Sequence, residues 1–399
     1  MIARIEKGLP RGRVTAPPSK SYAHRELICA ALSGDSKVTF LSYSEDIEAT
    51  LNCLSSLGFV FCQNGNEVIF KGRKEIVGVP ILDCNASGST LRFMIPVALV
   101  LVDEFIVTGT ARLLERGIKI YENICDLQGI LVEKTNKNVH FKGKLRSGVF
   151  EVPGDVSSQF ITGLLLALPL LNEDSTISVL PPVESKNYID ITLDVMKKFG
   201  VLIDVDELNY KVNGHQSYES RAVEVEGDYS NAAFLDAWNY LGGEVVVDGL
   251  NPDSKQGDKV CLELLKLLSN GYEEIDISNC IDLGPVLICF AAMKHGAKLT
   301  GTKRLGIKES NRGLVMKEEL EKLGASIDVY EDEIEVTPLS IASSCFDFHS
   351  HDDHRIAMSL SLFAAFGRVT IKGAEAVRKS FPDFFDTLKK LGMEVSYAE

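Results

Sequence analysis

Lys308, Glu309 and Arg312 of the segment IKESNR lie within one helical turn of each other. A lysine beside a glutamate can donate and accept a proton, while the arginine fork can grip a carboxylate or phosphate. A surface ion-pair cluster would use the same residues, so the segment alone leaves both readings open. In HSHDDHRIA, His349, His351 and His354 with Asp352 and Asp353 have the types of metal ligands. There is no HExxH and no regular i,i+4 histidine pair, so no metal is expected. Asp353 is expected to cap a helix, with His354 and Arg355 facing a substrate cleft.

Further cations recur at expected helix starts: Arg112 and Arg116 in TARLLERG, Lys186 in ESKNY, Lys379 in RKSFPD. The helix macrodipole disfavours cations there, and such local conflicts often mark function. Lys20, Arg25 and Arg92 stand beside serines that open apolar helices. A helix N-terminus with full positive charges beside it is a natural anion site. No GxGxxG follows a strand, no GxSxG occurs, and GTKRLGIK has Ile after the second glycine of its P-loop-like spacing. A bound nucleotide is therefore not expected.

These residues sit on a repeating frame. LNCLSSLGFVF, ENICDLQGILV, LDVMKKFGVLI, LELLKLLSNGYEEI, EELEKLGASIDV and TLKKLGMEV each read as an amphipathic helix, a glycine and a β-rich stretch. Gly58, Gly129, Gly200 and Gly271 are spaced by 71 residues, followed by Gly324 and Gly392. Glycine suits the left-handed position that ends a helix. A second series is strongly apolar, with Ser21, Ser89 and Ser157 spaced by 68 residues at its openings. In the second half the openings GDYSN, DLGPV and DDHRI each carry an aspartate near the N-cap, and serine and aspartate both satisfy orphan N–H groups there. The pattern predicts six α/β units, three closing into each globular half. The boundaries read as 14–226 for one domain and 1–13 plus 227–399 for the other.

Composition bounds the function. A chain of 399 residues exceeds one ordinary core. A net charge of −14 argues against nucleic-acid or anionic-membrane partners. Nine scattered cysteines without a CxxC pair indicate reduced thiols. With no secretory h-region at MIARIEKGLPRGR and no apolar run long enough for a bilayer, the expected location is cytoplasmic.

PPSKSYAHR, NASGSTLR, GTARLLERG, GDVSSQF, SKNYIDITL, IDLGPVL, IKESNR, DDHRIAM and KSFPDF, in that order, resemble the enolpyruvyl transferases that make 5-enolpyruvylshikimate 3-phosphate. The likeness runs from Pro17 to Phe384. It implies two domains of three βαβαββ repeats each, with the active site in the interdomain cleft. It also implies transfer of the enolpyruvyl group of phosphoenolpyruvate to the 5-hydroxyl of shikimate 3-phosphate in aromatic amino acid biosynthesis. No cofactor is implied, and a monomer is expected.

By motif, the resemblance assigns Lys20, Ser21, Arg25, Ser157, Ser158, Gln159, Ser185, Tyr188, Asp282 and Lys308 to shikimate 3-phosphate. It assigns Lys20, Gly88, Arg116, Gln159, Arg312, His354, Arg355 and Lys379 to phosphoenolpyruvate. Asp282 is implied as base for the hydroxyl and Glu309 as proton donor to the methylene, with Lys20 and Lys308 stabilising charge. Gly117, Ile281, Asn311 and Ser89 depart from the residues common in the family, which concerns loop geometry and glyphosate response more than activity. The sister transferase acting on UDP-N-acetylglucosamine carries a loop cysteine that Val107 to Lys119 lacks. A catalytically silent anion binder would have lost the catalytic set, which is intact.

Overall fold

Six apolar helices carry the molecule, and their openings explain where charged residues can stand. The computed structural model describes residues 1–398; residue 399, the end of the second expected domain, lies outside them. The helices are Lys20–Ser33, Gly88–Leu101, Ser158–Ala167, Tyr229–Asp236, Gly284–Met293 and His354–Leu360. Their apolar character all round fits burial on nearly every face, and every residue of Gly284–Met293 is buried.

Serines do open the first three helices. Ser19 and Ser87, each two residues before the evenly spaced Ser21 and Ser89, occupy the N-cap positions of the first two helices. The Ser87 hydroxyl accepts from the Thr90 amide and Ser157 from the Gln159 amide. In the other series Asp228 accepts from Asn231 and Asp353 from Arg355. Asp282 does not hold the N-cap position: it lies in a 3-10 turn, Ile281–Leu283, with Leu283 at the N-cap.

Contacts divide the chain into Pro18–Glu226 and a second unit of Met1–Pro17 with the chain from Gly227 onward. Val14 and Thr15 fall in the second unit, not the first, because strand Arg11–Thr15 pairs in parallel with Glu244–Asp248. In the Pro18–Glu226 unit three four-stranded sheets share one grammar, a parallel pair followed by two antiparallel pairings. One runs Ile81–Asp83, Glu104–Thr108, Asn138–Lys142, Leu131–Lys134 across the sheet. The next, from Val149–Pro153, repeats it. The third borrows its first strand, Ala222–Glu224, from the far end of the unit.

The second unit has two such sheets. One runs Glu273–Asp276, Ala297–Thr300, Glu333–Val336, Ile327–Val329. In the other the N-terminal strand Ile2–Ile5 sits between Arg368–Lys372 and Val395–Ala398. The remaining repeat keeps only the two-stranded pair of Arg11–Thr15 and Glu244–Asp248.

Five of the six repeat glycines, Gly58, Gly129, Gly200, Gly324 and Gly392, have positive φ, where an L side chain is strained. Gly271 is the exception: it follows Asn270 in an extended conformation, φ 176°. Each unit has its own core. Tyr22, Phe93 and Phe160 belong to one and Trp238, Phe290 and Phe363 to the other. Truncating such a side chain to alanine costs about 3–5 kcal/mol.

Candidate functional site

The Pro18–Glu226 unit. Gly163 lets the Gly88–Leu101 and Ser158–Ala167 helices approach closely, since a Cβ there would stand 2.3 Å from the Arg92 carbonyl. The Tyr121 hydroxyl ties the two helices by donating toward the carbonyls of Arg92, at 2.7 Å, and Phe160, at 3.0 Å. This approach builds a chain of polar contacts. Arg92 donates from Nη1 to Gln159 Oε1 at 2.7 Å, and Gln159 Nε2 donates to Ser89 Oγ at 3.0 Å. The other Arg92 nitrogen faces the carbonyls of Arg116 and Gly117 at 3.4 Å. A Cβ on Gly88 would lie 2.8 Å from Arg116 Nη2, so the missing side chain is the space the guanidinium occupies.

Arg116 also resolves one of the sequence conflicts. It ends the short helix Ala111–Glu115 rather than starting one, and a cation is favoured at a C-terminus. Lys379 likewise ends the 3-10 turn Ala374–Lys379. Lys308 follows the turn Lys303–Ile307 directly. Lys186 and Arg312 are first residues of helices, and Arg112 is second in Ala111–Glu115.

Lys20 opens its helix and pairs with Asp46 Oδ2 at 2.7 Å. Arg25 is buried and much engaged. Nε donates to Thr192 at 2.8 Å and Nη1 to the Ser21 carbonyl at 2.7 Å, while Nη2 donates to Thr162 at 3.2 Å and to the Tyr188 carbonyl at 3.0 Å. Burial lowers its pKa to about 10, opposed by the nearby Tyr188 and Tyr22. Four of its five N–H groups are therefore committed to the protein, and the role the resemblance implies must pass through what remains. Ser158 is buried in the first turn of its helix. Ser185, in the left-handed region at φ 53°, opens the Lys186–Lys198 helix one turn before Tyr188.

The second unit. Here the site is ionic. Asp282 Oδ1 accepts from Lys308 at 3.0 Å and Arg312 at 2.9 Å, and Oδ2 from Arg355 at 3.2 Å. Burial alone would push its carboxyl up, but Arg355, Lys308 and Arg312 together hold it well below the ordinary aspartate range. Asp282 thus collects three cations. Arg312, which is 1% exposed, is the node. It donates to Asp353 at 2.9 Å, to Asp282 at 2.9 Å and to Glu309 at 2.7 Å. Burial opposes the charge on Arg312, yet Asp353, Glu309 and Asp282 raise its pKa. Macrodipole repulsion at this helix start is thus offset by three carboxylates.

Lys308 shows the opposite balance. Burial lowers its pKa to about 8; Asp282 supports the charge, while Arg312 and Arg304 oppose it. Asp353 also accepts from Ser310 at 3.0 Å. His354 and Arg355 follow it in the first turn, both buried. Lys379 donates to the Asp352 carbonyl at 2.5 Å and pairs with its carboxylate at 2.9 Å.

Sequence reasoning missed several of these partners. Asp46 lies in EDIEAT without a motif of its own. Arg304 is buried and close enough to depress Lys308. Asp258 is buried too: burial first, then Asp282, push its carboxyl up to about 7, while Arg355 pulls it down. A buried carboxylate in QGD carries no local signal beyond its charge.

Among the described residues no helix is long and apolar enough to cross a membrane. Residues 7–388 match the family model of EPSP synthase (3-phosphoshikimate 1-carboxyvinyltransferase). A 3-phosphoshikimate 1-carboxyvinyltransferase of Clostridium kluyveri is 40% identical, with 96% of each chain covered. One of Clostridium acetobutylicum is 38% identical over the same shares. A solved EPSP synthase of Acinetobacter baumannii superposes with a TM-score of 0.80 at 24% identity, covering 99% of this chain and all of that one.

Proposed function

The chain belongs to the EPSP synthase family, and from that membership we propose that it moves the enolpyruvyl group of phosphoenolpyruvate to the 5-hydroxyl of shikimate 3-phosphate. One observation carries the mechanism: Asp282 and Glu309, two carboxylates, are bridged by one buried Arg312. A reaction that adds a hydroxyl across a double bond needs a proton acceptor and a proton donor held a fixed distance apart. In this reading Asp282, ionised by its three cations, orients the hydroxyl and takes its proton as the new C–O bond forms. Glu309 gives its proton to the methylene carbon, producing a tetrahedral intermediate with a methyl group. Phosphate then leaves as the C–O bond to it breaks, carrying away the proton that Asp282 took, and Glu309 takes a proton back from the methyl.

The remaining residues bind and orient. Arg116, Arg312, His354, Arg355 and Lys379 address the anionic groups of phosphoenolpyruvate, and Gly88 supports Arg116 by leaving its guanidinium room. Ser157, Ser158, Ser185, Ser21 and Arg25 address shikimate 3-phosphate, Tyr188 packs its ring, and Gln159 serves both substrates. Charge-assisted bonds of this kind contribute roughly 1.5–3 kcal/mol each. Lys20 and Lys308 stabilise the charge that develops. Nine unpaired cysteines support a reducing compartment, the cytoplasm.

The test is phosphate release from the purified protein with both substrates, then with each omitted. Release that requires both supports the proposal; none from folded protein rejects it.

A further inference from the structure

Outside the groups used above, the most completely satisfied buried carboxylate is Glu319. Its side chain is 0% exposed and lies two turns along the helix that begins at Arg312. Lys322 Nζ reaches both of its oxygens at 2.7 Å. His351 Nε2 meets Oε1 at 2.6 Å, and the His349 amide donates to Oε2 at 3.0 Å. Burial pushes this carboxyl up, but those hydrogen bonds more than offset it and leave it below the ordinary glutamate range.

Two of those partners belong to the loop before Asp353. His351 and Asp352 are consecutive non-glycine residues with positive φ, 51° and 57°, a conformation that costs of order 1–3 kcal/mol per residue unless its surroundings enforce it. Ser350 helps by accepting from the Asp352 amide at 3.2 Å, but the side chain of His351 is held by Glu319. The bend aims the Asp352 carbonyl and carboxylate at Lys379 and delivers Asp353 to Arg312. Glu319 therefore clamps the loop to the same helix whose first residue is Arg312.

We infer that Glu319, through His351, is a positioning residue for the donor half of the reaction: it sets the loop that places Lys379, Arg312 and Arg355. The inference rests on the proposed function for the identity of the donor. Glu318, Glu319 and His351 also bring ligand atoms within 4.8 Å of one another, a spacing that could suit a metal. The Lys322 ammonium already occupies both Glu319 oxygens, so the cation at this carboxylate is supplied by the chain itself.

The experiment measures both Michaelis constants for the wild type, E319Q and H351Q, with thermal unfolding alongside. A wild type that releases no phosphate rejects the proposed function before the clamp is tested. With an active wild type, the expected result is KM for phosphoenolpyruvate raised about tenfold in E319Q and about threefold in H351Q. KM for shikimate 3-phosphate should stay within twofold, and a chelator should change neither constant. If E319Q does not fold, a raised donor KM in H351Q still supports the clamp. An unchanged donor KM in folded E319Q overturns it, as does H351Q with wild-type kinetics beside an unfolded E319Q. Donor KM rising on chelation would also overturn it in favour of a bound metal.

Discussion

The two units hold their functional residues by different physics. In Pro18–Glu226 many anchors are neutral: hydroxyl caps, the Gln159 amide and carbonyls around Arg25, with the Lys20–Asp46 ion pair beside them. In the other unit Asp282, Glu309 and Asp353 interlock with Lys308, Arg312 and Arg355. Such a cradle suits gripping a polyanion through hydrogen bonds, and burial is what lowers the Arg25 pKa within it. In the ionic network neighbouring charges overturn burial, as the low pKa of Asp282 shows, whereas the pKa of about 8 at Lys308 follows from burial despite Asp282. The proton chemistry is accordingly assigned to the second unit.

Substitution should separate the two kinds of site. The largest effect is expected for D282N and E309Q, which should lose about a hundredfold or more in turnover while shikimate 3-phosphate binding, read by calorimetry, changes only a few fold. Turnover near normal in either variant would break the assignment of proton transfer to the ionic unit.

The next effect is on stability. D353A leaves Arg312 buried with fewer counter-charges, and breaking a buried pair this way costs about 3–5 kcal/mol. Urea unfolding should register that loss; a shift below 1 kcal/mol would mean the network is not interlocked.

G88A tests the neutral cradle. The added methyl meets the end of a flexible arginine, so unfolding should be nearly unchanged while KM for phosphoenolpyruvate rises about tenfold, the equivalent of about 1.4 kcal/mol. Equal losses for both substrates would show that Gly88 serves something other than Arg116.

The pH dependence should carry opposite signs for activity and stability. Lys308 titrates near 8 in the folded chain and near 10.4 when unfolded. Between those values the unfolded state binds more protons, so this group makes stability rise with pH. Turnover should fall over the same window as the ammonium is lost. K308R, which stays charged, should move the alkaline limb of the rate profile upward, and an unmoved limb would assign it to another group. The smallest effect is S157A, a lost cap worth about 1 kcal/mol, visible as a few degrees in thermal unfolding.

How much of this was legible in the sequence follows from interaction range. The apolar helices, the glycine stops and the cap at Asp353 depend on neighbours within a few residues, so their pattern could be read directly. Even there the 68-residue spacing of Ser21, Ser89 and Ser157 does not itself name the N-cap, because several serines cluster at the first two openings and backbone geometry puts Ser19 and Ser87 there. Arg116 and Lys379 do stand near the starts of Lys119–Gln128 and Phe384–Lys390, but the sequence did not show the short turns before them. Each cation ends a helical turn too short to leave a periodic signal.

By itself, then, the sequence determined the repeat, the charge types and the family. The tertiary structure decided what each charge does. Lys20 finds Asp46 across 26 positions, and Arg312 finds Asp282 and Asp353 across 30 and 41. Capping acts through the backbone of adjacent residues, whereas ion pairing is isotropic and pairs any cation with any carboxylate that folding brings within reach. Local chemistry cannot select among fifty-six acidic residues. The packing of the helices does.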